Sequence, residues 1–356
     1  MSYRKRVEAF CGRLGLRRPI LLAPMAGACP PGLSIAVANA GGLGACGALL
    51  MKPHEIARWT NEVRAQTDGG FQINVWIPGP PPKRDPAHEA RLREFLGQWG
   101  PEVRAYADSK APPDFNEQCD ALITARPPVV SSIMGLFPAD YVQRLKREGI
   151  AWFAVATTVG EALAAEAAGA DVIVTQGMEA GGHRGAFDSE RAERELVGLV
   201  SLLPAVVDAV KVPVVATGGI ADGCGAAAAF ALGASAVQIG TAFLRCPEAH
   251  IPPVWADALA KTRPEETVLS RVFSGKPGRS IATSYVKAAT SLEAPSPAPY
   301  PVQRELTASM REAAIAAGDI ERMQTWAGQS AALGRAMPAG ELVEGLWTDA
   351  QALLRA

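Results

Sequence analysis

The chain is short of the residues that mark most catalytic machineries. It has four histidines and six cysteines in 356 residues. No two cysteines form a CxxC pair, which excludes a zinc or dithiol redox motif. There is no HExxH and no Cys/His cluster, so nothing indicates a metal centre. No histidine has a nucleophile-elbow serine beside it, so an acyl-transfer triad is not suggested. No GxGxxG follows an early strand, which removes support for a Rossmann-type NAD site. An excess of one charge is also missing: Lys plus Arg is 35, Asp plus Glu is 36, and the net charge is −1. That balance argues against a nucleic-acid surface and gives no attraction to an anionic membrane. No apolar run follows Met1-Ser-Tyr-Arg-Lys-Arg6, so the N-terminus does not read as a signal peptide. The longest uncharged stretch, Pro19 to Met51, is long enough to cross a bilayer. Pro24, Pro30, Pro31 and Gly41-Gly42 would break such a helix, so it reads as buried strands and short helices. The expectation is a cytoplasmic protein with its thiols free.

What is present is a globular composition, 48% apolar and 20% charged. Apolar, β-rich runs alternate with helical patterns. Strands are expected at Pro19–Met25, Leu43–Leu50, Phe71–Ile77, Pro128–Met134, Ala151–Thr157, Ala170–Gln176, Val212–Thr217 and Ala234–Ile239. Helices are expected at Pro31–Ala40, from Lys52 to about Thr67, Pro138–Glu148, Val159–Ala168, from about Pro204 to Val210, Gly223–Leu232 and within Thr241–Lys261. A polar insertion, about 78–126, interrupts the rhythm after Pro78-Gly-Pro-Pro-Pro82. Near-continuous apolar strands are what a covered parallel sheet requires. Eight such units predict a TIM (β/α)8 barrel over residues 1–262, with a doubly wound open sheet as the competitor. Residues 263–356 change character and read as a C-terminal extension packed on the barrel, where it could close the substrate site.

In a barrel, chemistry sits where strands end. After the seventh strand comes Thr217-Gly-Gly-Ile-Ala221, and after the eighth Gln238-Ile-Gly-Thr241. Gly218, Gly219, Gly240 and Thr241 could let backbone N–H groups close on a phosphate; a plain tight turn is the alternative for the glycine pair. After the sixth strand, Gln176-Gly-Met-Glu-Ala-Gly-Gly-His-Arg-Gly185 contains Gly181, Gly182 and His183. His183 alone among the histidines sits in a glycine-rich loop at a strand end, which suits acid/base work; a structural histidine is the alternative. Ala23-Pro-Met25 ends the first strand, where Met25 is either a soft platform for a flat ring or core filling. Asn74, in an apolar strand, needs a partner, either a polar cofactor edge or the backbone.

Together, Ala23-Pro-Met-Ala-Gly27, Gln176 to Gly185, Ala216-Thr-Gly-Gly219 and Gln238-Ile-Gly-Thr241 resemble nitronate monooxygenases, formerly 2-nitropropane dioxygenases. The likeness covers roughly residues 15 to 350. Pro299-Tyr-Pro-Val-Gln303 and Trp326-Ala-Gly-Gln329 look like the class I branch. The resemblance implies a TIM barrel binding FMN. It implies oxidation of alkyl nitronates, of the propionate 3-nitronate class, by O2 to a carbonyl compound and nitrite. One-electron transfer from nitronate to flavin, oxygen trapping and nitrite loss would be the sequence of events. By position, Gly218, Gly219, Gly240 and Thr241 would hold the phosphate. Ala23, Pro24, Met25, Asn74, Gln176, Gly181, Gly182 and Gln238 would line the flavin. His183 would be catalytic, either anchoring the nitronate anion or deprotonating a neutral nitroalkane.

The sequence departs from this pattern in two places. Many class I members have a histidine near the end of strand 4; here the equivalent position is Ile133, an apolar wall. Ser274-Gly-Lys-Pro-Gly-Arg279 replaces the usual Gly-Arg-Pro-Ala-Arg. The competing activity on the same scaffold is an NAD(P)H-dependent FMN reductase acting on a quinone or an enoyl thioester. The sequence leaves the oligomeric state open.

Overall fold

The structure is a computed structural model that describes residues 2–103 and 113–355. Eight parallel strands form the centre: β1 Ile20–Leu22, β2 Gly44–Gly47, β3 Phe71–Trp76, β4 Val129–Ile133, β5 Ala151–Ala156, β6 Val172–Gln176, then, after a short strand β7 Gly182–His183 outside the barrel, β8 Val214–Thr217 and β9 Ala236–Ile239. Their order is β1-β9-β8-β6-β5-β4-β3-β2. Leu22 N donates to Leu43 O at 2.9 Å and Leu43 N to Ile20 O at 3.1 Å, which joins the two ends. Closure explains why strands without charge are stable here: no edge is left, and both faces are buried. The (β/α)8 barrel predicted from the rhythm is the fold observed, and the open sheet is not.

The helices bury one stripe each. In Pro53–Arg64, Ile56, Trp59, Thr60 and Val63 are buried, at the spacing of a single helix face. Its start is fixed by Glu55, whose carboxylate accepts from Lys52 N at 2.8 Å. Asp222 does the same for Gly223–Ala231, accepting from Gly225 N at 2.8 Å.

Several expected boundaries move, each for a physical reason. The helix expected from Pro204 begins earlier, at Leu199, and carries Pro204 inside it. The carbonyl that loses its donor to the proline is that of Val200, a residue 70% exposed, so water can satisfy it. The second strand ends at Gly47, where Ala26 lies so close that a Cβ would stand 2.6 Å from Ala26 N. Thr241–Lys261 is two short 3-10 turns, Thr241–Arg245 and Pro247–Ala249, before a helix at Pro253–Lys261. The polar insertion contains two helices, Pro86–Gly97 and Phe115–Ala125; its residues 104–112 lie outside the described residues. Phe115–Ala125 buries Cys119 and Leu122 in the main core beside Pro53–Arg64.

The C-terminal region does two jobs. Its last helix, Ala339–Arg355, packs on Gly223–Ala231 and reaches Pro31–Asn39. Trp347 meets Phe230 edge-on with ring centroids 5.5 Å apart. The helix thus fills the gap in the barrel's outer ring. The rest, with β10 Thr267–Ser270 and β11 Gly278–Ile281, lies against the barrel mouth. β10, β11 and β7 form a small antiparallel sheet. A second apolar core joins Leu92 and Leu96 of the insertion to Val272, Phe273, Tyr285, Val286 and Leu306 of the extension. Among the described residues no helix is long and apolar enough to cross a membrane. All six cysteines are free, and only Cys224 is exposed.

Candidate active site

A cavity of about 260 Å3 opens at the C-terminal ends of the barrel strands. Every residue singled out from the sequence lines it: Ala23, Pro24, Met25, Asn74, Gln176, Gly181, Gly182, His183, Gly218, Gly219, Gln238, Gly240 and Thr241. Asn74, Gln176 and Gln238 lie in β3, β6 and β9, Gly182 and His183 form β7, and the rest follow β1, β6, β8 and β9; barrel closure brings them to one place.

The wall after β8 and β9 is built from backbone. Gly218 and Gly219 have φ of +104° and +71°, a region where a side chain is strained. Among the described residues, the N–H groups of Gly218, Gly219, Gly240 and Thr241 donate to no protein acceptor. The pair is therefore a tight turn, and its donors remain free for an anion. The C-terminal region braces it. Ser330 Oγ donates to Gly219 O at 2.6 Å, and Gly328 N donates to Thr241 Oγ1 at 3.0 Å. A Cβ at Gly181 would stand 2.4 Å from Gly328 N, so only glycine admits that approach.

The amides divide their work. Asn74 Nδ2 donates to Ser131 Oγ at 3.1 Å, so a side chain supplies the partner it needed. Gln238 Oε1 accepts from Gln72 Nε2 at 2.9 Å, leaving the Gln238 NH2 as the unused end on a cavity wall. Gln176 uses both ends on the histidine loop: Nε2 donates to His183 O at 3.1 Å, and Oε1 accepts from Gly185 N at 2.8 Å. Arg184 is buried behind it and donates to Gln176 O at 2.8 Å. Burial pushes that guanidinium down to about 10, against Glu161 and Glu179, which raise it.

His183 sits between two indoles. Its ring centroid is 4.6 Å from that of Trp76 and 4.8 Å from that of Trp326. Its Nε2 is 2.8 Å from Ser274 Oγ. Ser274 is itself held: Lys276 N donates to its Oγ at 3.3 Å, and the hydroxyl can donate to Lys276 O at 3.2 Å. β7 pairs with β11, which sets His183 opposite Gly278. Burial, then the positive charges of Lys276 and Arg304, push the imidazole down to about 3. The side chain keeps some accessible surface in the cavity, yet protein surrounds it closely enough to disfavour its cation. His183 is therefore neutral at physiological pH.

Sequence reasoning missed one wall of the cavity: Trp76 and Ser131 from the barrel, and Ser274, Tyr300, Arg304, Gln324, Trp326, Gly328 and Ser330 from the extension. Trp76 carried a usable signal, standing two residues after Asn74 and so on the same face of the strand. Ser274, Tyr300, Trp326 and Gly328 fall in segments that the family resemblance marked, but no periodicity ties the extension residues to the strand ends. Ile133, with Val155 and Val174, forms an apolar floor.

The cavity suits a planar cofactor with a phosphate arm. Free backbone donors stand at one end, small residues and Met25 line the walls, and amides offer polar partners. Comparison with known proteins gives a consistent result. The family model described as nitronate monooxygenase matches residues 11–349. A protein of Paraburkholderia phytofirmans named nitronate monooxygenase is 39% identical over 336 residues, covering 93% of this chain and 91% of its own. The crystal structure of a nitroalkane oxidase from Streptomyces ansochromogenes superposes with a TM-score of 0.88 at 37% identity, covering 96% of this chain and 97% of that one. FabK from Thermotoga maritima superposes with a TM-score of 0.76 at 30% identity, covering 98% and 97%.

Proposed function

The chain belongs to the nitronate monooxygenase family of flavin oxidoreductases, and from that premise we propose that it uses FMN and O2 to oxidise alkyl nitronates of the propionate 3-nitronate class to a carbonyl compound and nitrite. One observation carries the reading: unpaired backbone donors and a neutral, glycine-flanked histidine face one cavity at the strand ends. Gly218, Gly219, Gly240 and Thr241 would hold the FMN phosphate. Ala23, Pro24, Met25, Asn74, Gly181, Gly182 and Gln238 would line the ring, while Gln176 fixes the loop that carries His183. Bound there, FMN would supply electron acceptance and the oxygen chemistry.

The protein's own part is binding, orientation and exclusion of water. Trp76 and Trp326 hold the His183 ring and keep solvent from it. Ser274 Oγ, which accepts from Lys276 N at 3.3 Å, can give its one proton to His183 Nε2 at 2.8 Å. Nδ1–H is then the donor left for a ligand. A base whose conjugate acid lies near 3 is weak toward a carbon acid, so the preferred substrate arrives already as a nitronate. His183 then orients that anion through a hydrogen bond.

The test is a visible spectrum of the purified protein, followed by oxygen uptake with propionate 3-nitronate and, separately, with NADH. Flavin absorbance, uptake and nitrite with nitronate alone are expected. Flavin that bleaches anaerobically with NADH and ignores nitronate would overturn the reading in favour of a reductase.

A further inference from the structure

The cavity contains one permanently charged side chain. Among the described lining residues there is no aspartate, glutamate or lysine, and the only cation is Arg304. His183 cannot supply positive charge between its two indoles, so any anion entering the cavity has a single full counter-charge to meet. We infer that Arg304 docks a planar two-oxygen anion of the substrate, either the nitronate group itself or a carboxylate on the same molecule. This rests on the nitronate reading above.

The local structure supports that use. Arg304 stands on the short helix Val302–Leu306, after Tyr300, which also lines the cavity. Its backbone is pinned, since Arg311 Nη2 donates to Arg304 O at 2.9 Å. Its side chain keeps 27% of its surface exposed and so stays reachable. Glu305, its next neighbour, engages Nη1 at 3.2 Å and leaves the remaining guanidinium donors. Lys276 lies farther back, its Nζ 6.0 Å above the Tyr300 ring, and adds field without lining the cavity. The guanidinium fork matches a two-oxygen anion bidentately, which a lysine cannot do.

The test compares wild type, Arg304→Gln and Arg304→Lys, with flavin content and melting temperature as controls for folding. Steady-state kinetics use ethyl nitronate and propionate 3-nitronate. Binding of propionate and of nitrate, neither of them a substrate, is read by tryptophan fluorescence, because Trp76 and Trp326 flank the site. Arg304→Gln should raise KM roughly 10- to 100-fold, the range for a charge-assisted pair, with a much smaller change in kcat. Anion affinity should weaken in parallel, and Arg304→Lys should recover part of both. An effect on both nitronates assigns the nitronate group as the anion held; an effect on propionate 3-nitronate alone assigns its carboxylate. Unchanged KM for both substrates and unchanged anion affinity would overturn the inference. A wild-type enzyme that binds both anions through Arg304 yet oxidises no nitronate would leave this docking role standing and remove the proposed function.

Discussion

The two walls of the cavity are made of opposite materials. The barrel wall, at Ala23–Met25, Gly181–Gly182, Gly218–Gly219 and Gly240–Thr241, is mostly glycine, small side chains and backbone donors. The wall from the extension is large and polar or aromatic: Ser274, Tyr300, Arg304, Gln324 and Trp326. Backbone walls give shape and fixed dipoles that no rotamer change can remove. Side-chain walls give charge, stacking and selectivity, and they can be exchanged without disturbing the barrel. On the proposed function, the cofactor side would belong to the scaffold and the substrate side to the part added onto it. His183 lies at the seam, on a barrel loop but paired with β11 and packed against Trp326.

The sharpest way to break this division is at the seam. His183→Asn should lower kcat/KM by about 10^2 to 10^4, the usual range for a lost acid/base or orienting group, while flavin content stays near wild type. Retained turnover would show that the seam only holds structure. The pH behaviour follows from the imidazole's low pKa. Held near 3 in the folded state and near 6.5 unfolded, His183 binds fewer protons folded than unfolded between those values. Its neutral form therefore favours folding above about pH 6.5, and that contribution is lost as pH falls toward 3. The melting temperature of wild type should drop more than that of His183→Asn across this window. No limb from His183 should appear in the activity profile between pH 5 and 8.

The next test pushes the two walls apart by backbone contact. In Gly181→Ala the new Cβ would stand 2.4 Å from Gly328 N and 2.6 Å from Ala327 C. Both are backbone atoms and cannot rotate away, so the extension must shift at a cost of about 1–3 kcal/mol. The expected result is a lower melting temperature, weaker flavin retention and reduced turnover. Gly182→Ala is the comparison. Nothing lies within 4 Å of its Cβ, and only its φ of +73° is strained. It should cost about 1–2 kcal/mol of loop strain and leave the contact between the walls intact. Equal effects of the two would show that loop strain, rather than contact between the walls, matters at this position.

The same contrast explains what was legible in the sequence. The barrel wall could be read because it is local. Gly218-Gly219 and Gly240 directly follow apolar strands, Gly181-Gly182 sits in the loop after another, and strand ends fall on one rim of the barrel by closure alone. Asn74 stood out as an amide in an apolar strand, and Gln238 entered through the motif it opens. The extension wall could not be read from residues alone, because Ser274, Arg304 and Trp326 reach the rim through a small antiparallel sheet and a second core shared with Leu92 and Leu96. Such contacts are non-local and leave no period. Helix Ala339–Arg355 illustrates this as well. Its sequence grouped it with the extension, yet small residues in Gly223–Ala231 let it close the outer ring: a Cβ at Gly223 would stand 2.3 Å from Asp349 Cβ. The internal use of Gln176 was also hidden, since its partners are backbone atoms of the loop it holds.

The smallest expected effect sharpens the comparison most, because it asks whether the extension acts on the barrel's histidine through geometry. Ser274 is buried, and Ser274→Ala removes one hydroxyl that bridges Lys276 backbone to His183 Nε2 at 2.8 Å. The net value of such a bond is about 1 kcal/mol, which corresponds to roughly a five-fold loss if the bond matters only for orientation. Trp76 and Trp326 still hold the ring in the variant, so the imidazole should keep its place and its depressed pKa. The loss should then fall on kcat, with KM for a nitronate nearly unchanged, since Arg304 still meets the anion. Ser274→Thr keeps the hydroxyl and should restore most of kcat. A loss confined to KM would mean that Ser274 touches substrate directly. No loss at all would mean that the two indoles alone orient His183, and that the extension acts on the barrel's histidine by packing and not by hydrogen bonding.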